Sequence, residues 1–204
     1  TSPDFGVAGV LDRFGQVKPT VLIAADGYVY ANRRHTRLDR LSEVVAGLPS
    51  LEAVIVHGEL EEEPDLGHVR EGNRGLPIVT LDQAVEAGRR AAQGGFGADP
   101  DAPYPFDHPL YILYSSGTTG VPKCIVHRAG GLLVKHVVEQ QLHCDIRPGD
   151  RVFYFTTCGW MMWNWLASAL ASGATIVLYD GSPFHPDRDV MWSLAEQERV
   201  TLFG

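Results

Sequence analysis

The sequence predicts an α/β fold with largely parallel sheets flanked by helices. Short runs of β-branched and aromatic residues recur along the chain, segments of helical period lie between them, and Gly, Pro and Asp gather at the seams. The strand candidates are Val21–Ala25, Ala53–His57, Leu110–Tyr114, Val152–Phe155 and Thr175–Tyr179. The last is a nearly continuous apolar run, a pattern that belongs to strands buried on both faces. Between two of them, Leu132, Leu133, Val134, Val137, Val138 and Leu142 recur at helical spacing, which predicts a helix with Lys135, Glu139 and Gln140 on the opposite face. A second helix is expected from Asp187 onward through Val190, Leu194 and Gln197. Arg147-Pro148-Gly149-Asp150 and Asp180-Gly181-Ser182-Pro183 mark turns. The Gly- and Pro-rich stretch Gly94–Pro109 reads as a loop or subdomain connection, and no internal repeat is evident.

With 204 residues, 45% hydrophobic and 21% charged, the chain is long enough for one sizeable core and a second small subdomain. A formal net charge of -8 and the lack of any Lys/Arg run argue against a nucleic-acid surface, leaving small-molecule or protein partners. Cys124, Cys144 and Cys158 form no C-x-x-C pair and fit reduced thiols in a cytoplasmic protein. No apolar run approaches the roughly 18 residues of a membrane span, and the first residues lack signal-peptide character, so a soluble protein is expected. The chain opens on Thr1 and stops at Val200-Thr201-Leu202-Phe203-Gly204, which reads as a buried strand cut off before its connection. That ending leads us to expect a fragment. The acidic run Glu59–Asp65 reads as a solvated loop, since consecutive carboxylates in a loop need no metal.

The segment with the most chemical content is Tyr114-Ser115-Ser116-Gly117-Thr118-Thr119-Gly120-Val121-Pro122-Lys123. It follows a strand, and open α/β sheets gather ligands at the carboxyl ends of their strands. Glycines let backbone N–H groups turn inward, hydroxyls add donors and Lys123 adds positive charge, a set suited to polyphosphate. The chain's lysines are Lys18, Lys123 and Lys135, so one placed here is poorly explained as surface filler. A Walker A loop requires Gly-Lys-Ser/Thr leading into a helix. Here Pro122 precedes the lysine, and Cys124-Ile125-Val126-His127 looks like a strand, so the arrangement is strand, loop, strand. On composition alone a Ser/Thr/Gly turn within a hairpin is the competing interpretation.

The order of this run is similar to the glycine-rich signature of the adenylate-forming superfamily, which includes acyl-CoA synthetases, luciferases and peptide-synthetase adenylation domains. The usual form ends Pro-Lys-Gly, whereas Cys124 stands here, a departure that makes a positive φ costly. Cys124 resembles the acetoacetyl-CoA synthetase branch, as do Ser2-Pro3-Asp4-Phe5-Gly6, Ala25-Asp26-Gly27-Tyr28, Pro105-Phe106-Asp107-His108-Pro109 and the run from Phe155 to Trp165. The likeness spans essentially the whole chain.

The resemblance implies part of the large N-terminal domain of an AMP-forming acid-thiol ligase. It implies ATP and coenzyme A as co-substrates and Mg2+ held mostly by residues outside this chain. Ser115, Ser116, Gly117, Thr118, Thr119, Gly120 and Lys123 would hold the β and γ phosphates, with Lys123 electrostatically catalytic. Trp160, Met161 and Met162 would line the pocket for a short acid. A run with this many Trp and Met residues at a helix start also reads as core, and both interpretations stand. His127 could touch substrate or be a hydrogen-bonded structural residue. His136, His143 and Cys144 lack the spacing and the fourth ligand of a zinc site, and Gly94-Gly95-Phe96-Gly97 lacks a dinucleotide fingerprint. Acetate, propionate or another acid as substrate, or a nucleotide-binding module without catalysis, are the rival interpretations.

Overall fold

In a computed structural model that describes residues 2–73, 75–92, 103–115, 120 and 122–204, the chain divides into two units. One comprises Pro3–Pro103 and Tyr114–Cys124; the other comprises Ser2, Tyr104–Leu113 and Ile125–Gly204.

The first unit runs α1 (Val7–Val17), β1 (Val21–Ala25), β2 (Gly27–Tyr30), β3 (Arg33–Thr36), α2 (Leu38–Ala46), β4 (Ala53–His57), α3 (Gly67–Gly72), β5 (Ile78–Thr80) and α4 (Leu81–Ala92). β1, β4 and β5 form a parallel sheet in that order, with Val21 opposite Ala53 and Val54 opposite Ile78. Leu22, Val54, Val56 and Ile78 point to one face, where Leu41, Val44, Val45 and Leu48 of α2 and its following turn meet them. Their spacing of three, one and three places them on one helical stripe. Val7, Val10, Leu11 and Phe14 repeat that spacing on α1 and pack against the same core. Val21 and Ile23, pointing the other way, are 48% and 67% exposed, so β1 is covered on one face.

β2 and β3 pair antiparallel about Ala31 and Asn32, both at positive φ (48 and 60), the backbone a tight two-residue hairpin needs. Asp26, between β1 and β2, is buried. Its carboxylate accepts the backbone N–H groups of Glu59 and Leu60 at 2.9 Å and of Glu61 at 3.0 Å. The acidic stretch is thus a loop tied down from within, with Glu61, Glu62 and Glu63 exposed.

The division between units runs through a two-stranded sheet of β6 (Pro109–Ser115) and β7 (Lys123–Arg128). The second unit continues with α5 (Ala129–Val137), a π-helical turn (Val138–His143), β8 (Arg151–Phe153), α6 (Met161–Ser168), a 3-10 turn (Ala169–Ser172), β9 (Thr175–Val177), α7 (Val190–Gln197) and β10 (Leu202–Phe203). β8 lies between β10 and β9, all parallel. Val152 packs with Trp165, Leu166 and Ala169, while Phe153 packs with Val177 and Met191. This strand is buried on both faces, whereas the run Thr175–Tyr179, of which two-sided burial is expected, leaves Thr175 and Leu178 exposed.

Several expectations need correction. The strands expected to reach Phe155 and Tyr179 end at Phe153 and Val177, and the helix expected from Asp187 begins at Val190. β10 forms where expected, but Leu202 is only half-buried and Phe203 is 41% exposed. The single helix expected over 132–142 is split by the π turn, and its faces hold only in part: Lys135 is exposed and Leu132 and Val137 are half-buried as expected. Gln140 and His136 are buried, whereas Leu133, Val134, Val138 and Leu142 are exposed. The expected loop around 94–109 is described only from Pro103, where it contains neither helix nor strand up to β6; Gly94, Gly95, Phe96 and Gly97 lie outside the described residues.

Candidate functional site

β6 ends at Ser115 and β7 begins at Lys123, so the two expected strands stand on either side of the run. Ser116, Gly117, Thr118 and Thr119 lie outside the described residues. Gly120 stands at φ 118, a backbone state that only glycine adopts readily. Ser115 is half-buried and Lys123 exposed. Lys135 pairs with Glu139, whereas among the described residues no carboxylate pairs with Lys123. Cys124 sits inside β7, where extended backbone suits it, so the replacement of glycine here brings no strain.

Helix α1 contacts both ends of this loop. The guanidinium of Arg13 lies 5.9 Å from the ring centre of Tyr114, and Gln16 Nε2 donates to Pro122 O at 2.8 Å. Burial raises the Tyr114 hydroxyl pKa and the neighbouring Cys124 adds to the rise, against the pull of Arg13.

The second candidate group sits at the start of α6. Trp160, at the cap position with extended backbone, is 70% exposed and Met161 is 52% exposed. Met162 turns toward the core of the second unit and packs against the cluster that includes Trp165 and Leu166. Lys123 and the Trp160–Met162 run belong to different units.

His127 on β7 is half-buried, its ring 5.4 Å from that of Tyr111. Burial raises the Tyr111 hydroxyl pKa, and that hydroxyl is enclosed without a hydrogen-bond partner among the described residues.

Sequence reasoning attached no local role to Pro105–Pro109. Phe106 O and His108 O accept the N–H groups of Gly130 and Ala129, each at 2.9 Å, and Asp107 pairs with Arg128 at 3.4 Å. The Phe106 ring lies so close to Gly130 that a Cβ there would come within 2.2 Å of it. The motif locks the start of α5. Gln16 was also missed, because its partner is 106 residues away in the chain.

The profile of the AMP-binding enzyme family matches residues 1–204. The chain belongs to the AMP-binding enzyme family. Within and around that family it is similar to acetoacetyl-coenzyme A synthetase of Rhizobium meliloti (strain 1021), 49% identical over 205 residues, covering 100% of this chain and 29% of that protein. Acetoacetyl-CoA synthetase of Xenopus tropicalis is 44% identical over 209 residues, with 100% and 30% covered. Malonamoyl-CoA synthetase of Penicillium aethiopicum is 46% identical over 217 residues, with 100% and 29% covered. Among solved structures, acetoacetyl-CoA synthetase from Streptomyces lividans matches with a TM-score of 0.83 and 46% identity, covering 100% of this chain and 29% of that one. The chain therefore spans 29–30% of the length of these relatives. The α/β fold with parallel sheets is that of an AMP-binding enzyme.

Proposed function

We propose that the chain is part of the N-terminal adenylation domain of a cytoplasmic, ATP-dependent acid-CoA ligase. The substrate carboxylate attacks the α phosphate of ATP, pyrophosphate leaves, and an acyl adenylate forms. The thiol of coenzyme A then attacks the acyl carbon and AMP leaves. Acetoacetate is the acid this reading favours, on the strength of relatives named for acetoacetyl-CoA synthesis at 44–49% identity. The observation that carries the catalytic assignment is Lys123, without a carboxylate partner among the described residues, at the start of β7. Ser115 to Gly120 and Lys123 hold the β and γ phosphates and stabilise the charge that grows on departing pyrophosphate.

Mg2+ accompanies ATP in this reading. Among the described residues no group of His, Cys, Asp and Glu converges as a cation site, so these residues alone do not make one. None of the helices described is long and apolar enough to cross a membrane.

The test is Lys123→Ala in the full-length protein, assayed by ATP–pyrophosphate exchange. Loss of one such charge-stabilising group should slow exchange by about a hundredfold while melting is unchanged, because the side chain is exposed. Exchange at the parental rate would remove the phosphate role. The malonamoyl-CoA synthetase relative supports a second acid. Acetoacetate and malonamate both carry a second carbonyl β to the carboxylate, so both belong in the substrate panel with acetate and butyrate.

A further inference from the structure

Gln16 on α1 reaches the far end of the phosphate loop from outside it. Its Nε2 donates to Asp12 O, one helical turn back, and to Pro122 O at 2.8 Å, while its Oε1 accepts the Cys124 thiol at 3.6 Å. Both amide hydrogens and the carbonyl oxygen are therefore engaged. Pro122 and Cys124 are the residues on either side of Lys123. Arg13 stands three residues earlier on the same face of α1 and approaches Tyr114, at the other end of the loop.

We propose that Gln16 is a positioning residue for ATP: it clamps the chain on both sides of Lys123 and so presents that ammonium to the phosphates. The inference rests on the phosphate-binding role proposed for Lys123. A lysine carries its charge on a flexible four-carbon stem, and ordering it on a ligand costs rotamer freedom. Holding the Pro122 carbonyl and the Cys124 side chain narrows the region the ammonium samples and lowers that cost. Cys124 has a defined part in this, since its thiol supplies the donor for Gln16 Oε1. The clamp is separable from packing: Val7, Val10, Leu11 and Phe14 face the core from α1, and Gln16 does not belong to that set.

The test places Gln16→Ala and Gln16→Glu in the full-length protein, each with Lys123 and with Lys123→Ala, and follows ATP–pyrophosphate exchange. Gln16→Ala should raise KM for ATP roughly three- to tenfold, the size of a lost hydrogen bond or two, and move KM for acetoacetate by less than about twofold. Gln16→Glu should behave alike, because a carboxylate has no donor for Pro122 O. With Lys123→Ala already present, Gln16→Ala should add less than about twofold. Cys124→Ala should produce a smaller loss in the same direction and shrink the effect of Gln16→Ala.

Equal penalties in the two Lys123 backgrounds, or equal rises in KM for ATP and for acid, overturn the clamp while an impaired Lys123→Ala leaves the phosphate reading standing. Normal exchange by Lys123→Ala itself removes both. If Gln16→Ala fails to fold, Gln16→Glu and Cys124→Ala decide by the same criteria.

Discussion

Met161 and Met162 are adjacent in sequence, yet only Met162 packs against the core of the second unit. On a helix, successive side chains point about 100° apart, so the run could not be assigned to pocket or core from composition. Cutting Met162 to Ala should lower stability by about 2 kcal/mol, the low end for a partly enclosed methionine, with the order of acid substrates preserved. Cutting Met161 should leave melting nearly unchanged and, if it faces the acyl group, admit longer acids, a discrimination of roughly 1–3 kcal/mol per methylene-sized change. Melting temperatures and kcat/KM for acetoacetate, butyrate and hexanoate on both full-length variants check this. An unaltered substrate order in Met161→Ala would remove it from the pocket. Lys123 stands out as a candidate because lysine is scarce in this chain and the residues around it follow a strict order. Gln16 does not, because nothing local marks a glutamine whose partner lies in a distant segment.

The α5 region shows a different limit of pattern reasoning. Its apolar residues recur at helical spacing, but the π turn over Val138–His143 adds residues to the turn and rotates the later side chains about the axis. Gln140, within that turn, reaches the interior, as His136 does just before it, and a hydrogen-bond network satisfies them. Ser168 Oγ donates to Trp165 O at 2.7 Å, and Gln140 Nε2 donates to Trp165 O and to Ser168 Oγ at 2.8 and 3.0 Å. Ser172 Oγ donates to Gln140 Oε1 at 3.1 Å. Because the Ser168 proton is used, the 2.8 Å contact with His136 assigns the imidazole proton to Nδ1. Burial lowers the His136 pKa from its usual value, with Glu139 opposing and Lys135 and His127 reinforcing the shift. A histidine held neutral in the fold takes up a proton more readily once unfolded. Stability contributed by neutral His136 should therefore be present above the unfolded value of about 6.5 and decline as pH falls below it toward the folded pKa. Denaturant melts of the full-length protein between pH 5 and 8, as roughly spans histidine titration, test this. His136→Gln should flatten the slope in that window; an unchanged slope would refute the assignment. The β2–β3 hairpin escaped notice for a related reason, since Ala31-Asn32 carries the positive-φ turn without the glycine that usually signals one.

For the whole molecule, the α/β character and the parallel strands were legible because β-branched runs alternate with helical periods. Which strands would be covered on both faces was not, because apolar content alone is shared by β1, covered on one face, and β8, covered on two. Coverage depends on where crossover helices land, and that is a matter of topology. At this scale we expect chain 1–204 alone to show no ATP–pyrophosphate exchange while the full-length protein does, and exchange by the isolated chain at a comparable rate would refute this. The lock on α5 has a consequence for the electrostatics of phosphate recognition. The amino end of a helix carries about half a positive elementary charge from its aligned peptide dipoles, and a loop that runs straight into a helix can offer that charge to an anion. Here the first N–H groups of the helix after β7 are already turned onto the carbonyl oxygens of His108 and Phe106. Two of the helix's free N–H donors are thus satisfied within the chain itself, so under the phosphate role proposed for Lys123 the positive charge comes from the side chain, and these two N–H groups do not replace it in Lys123→Ala.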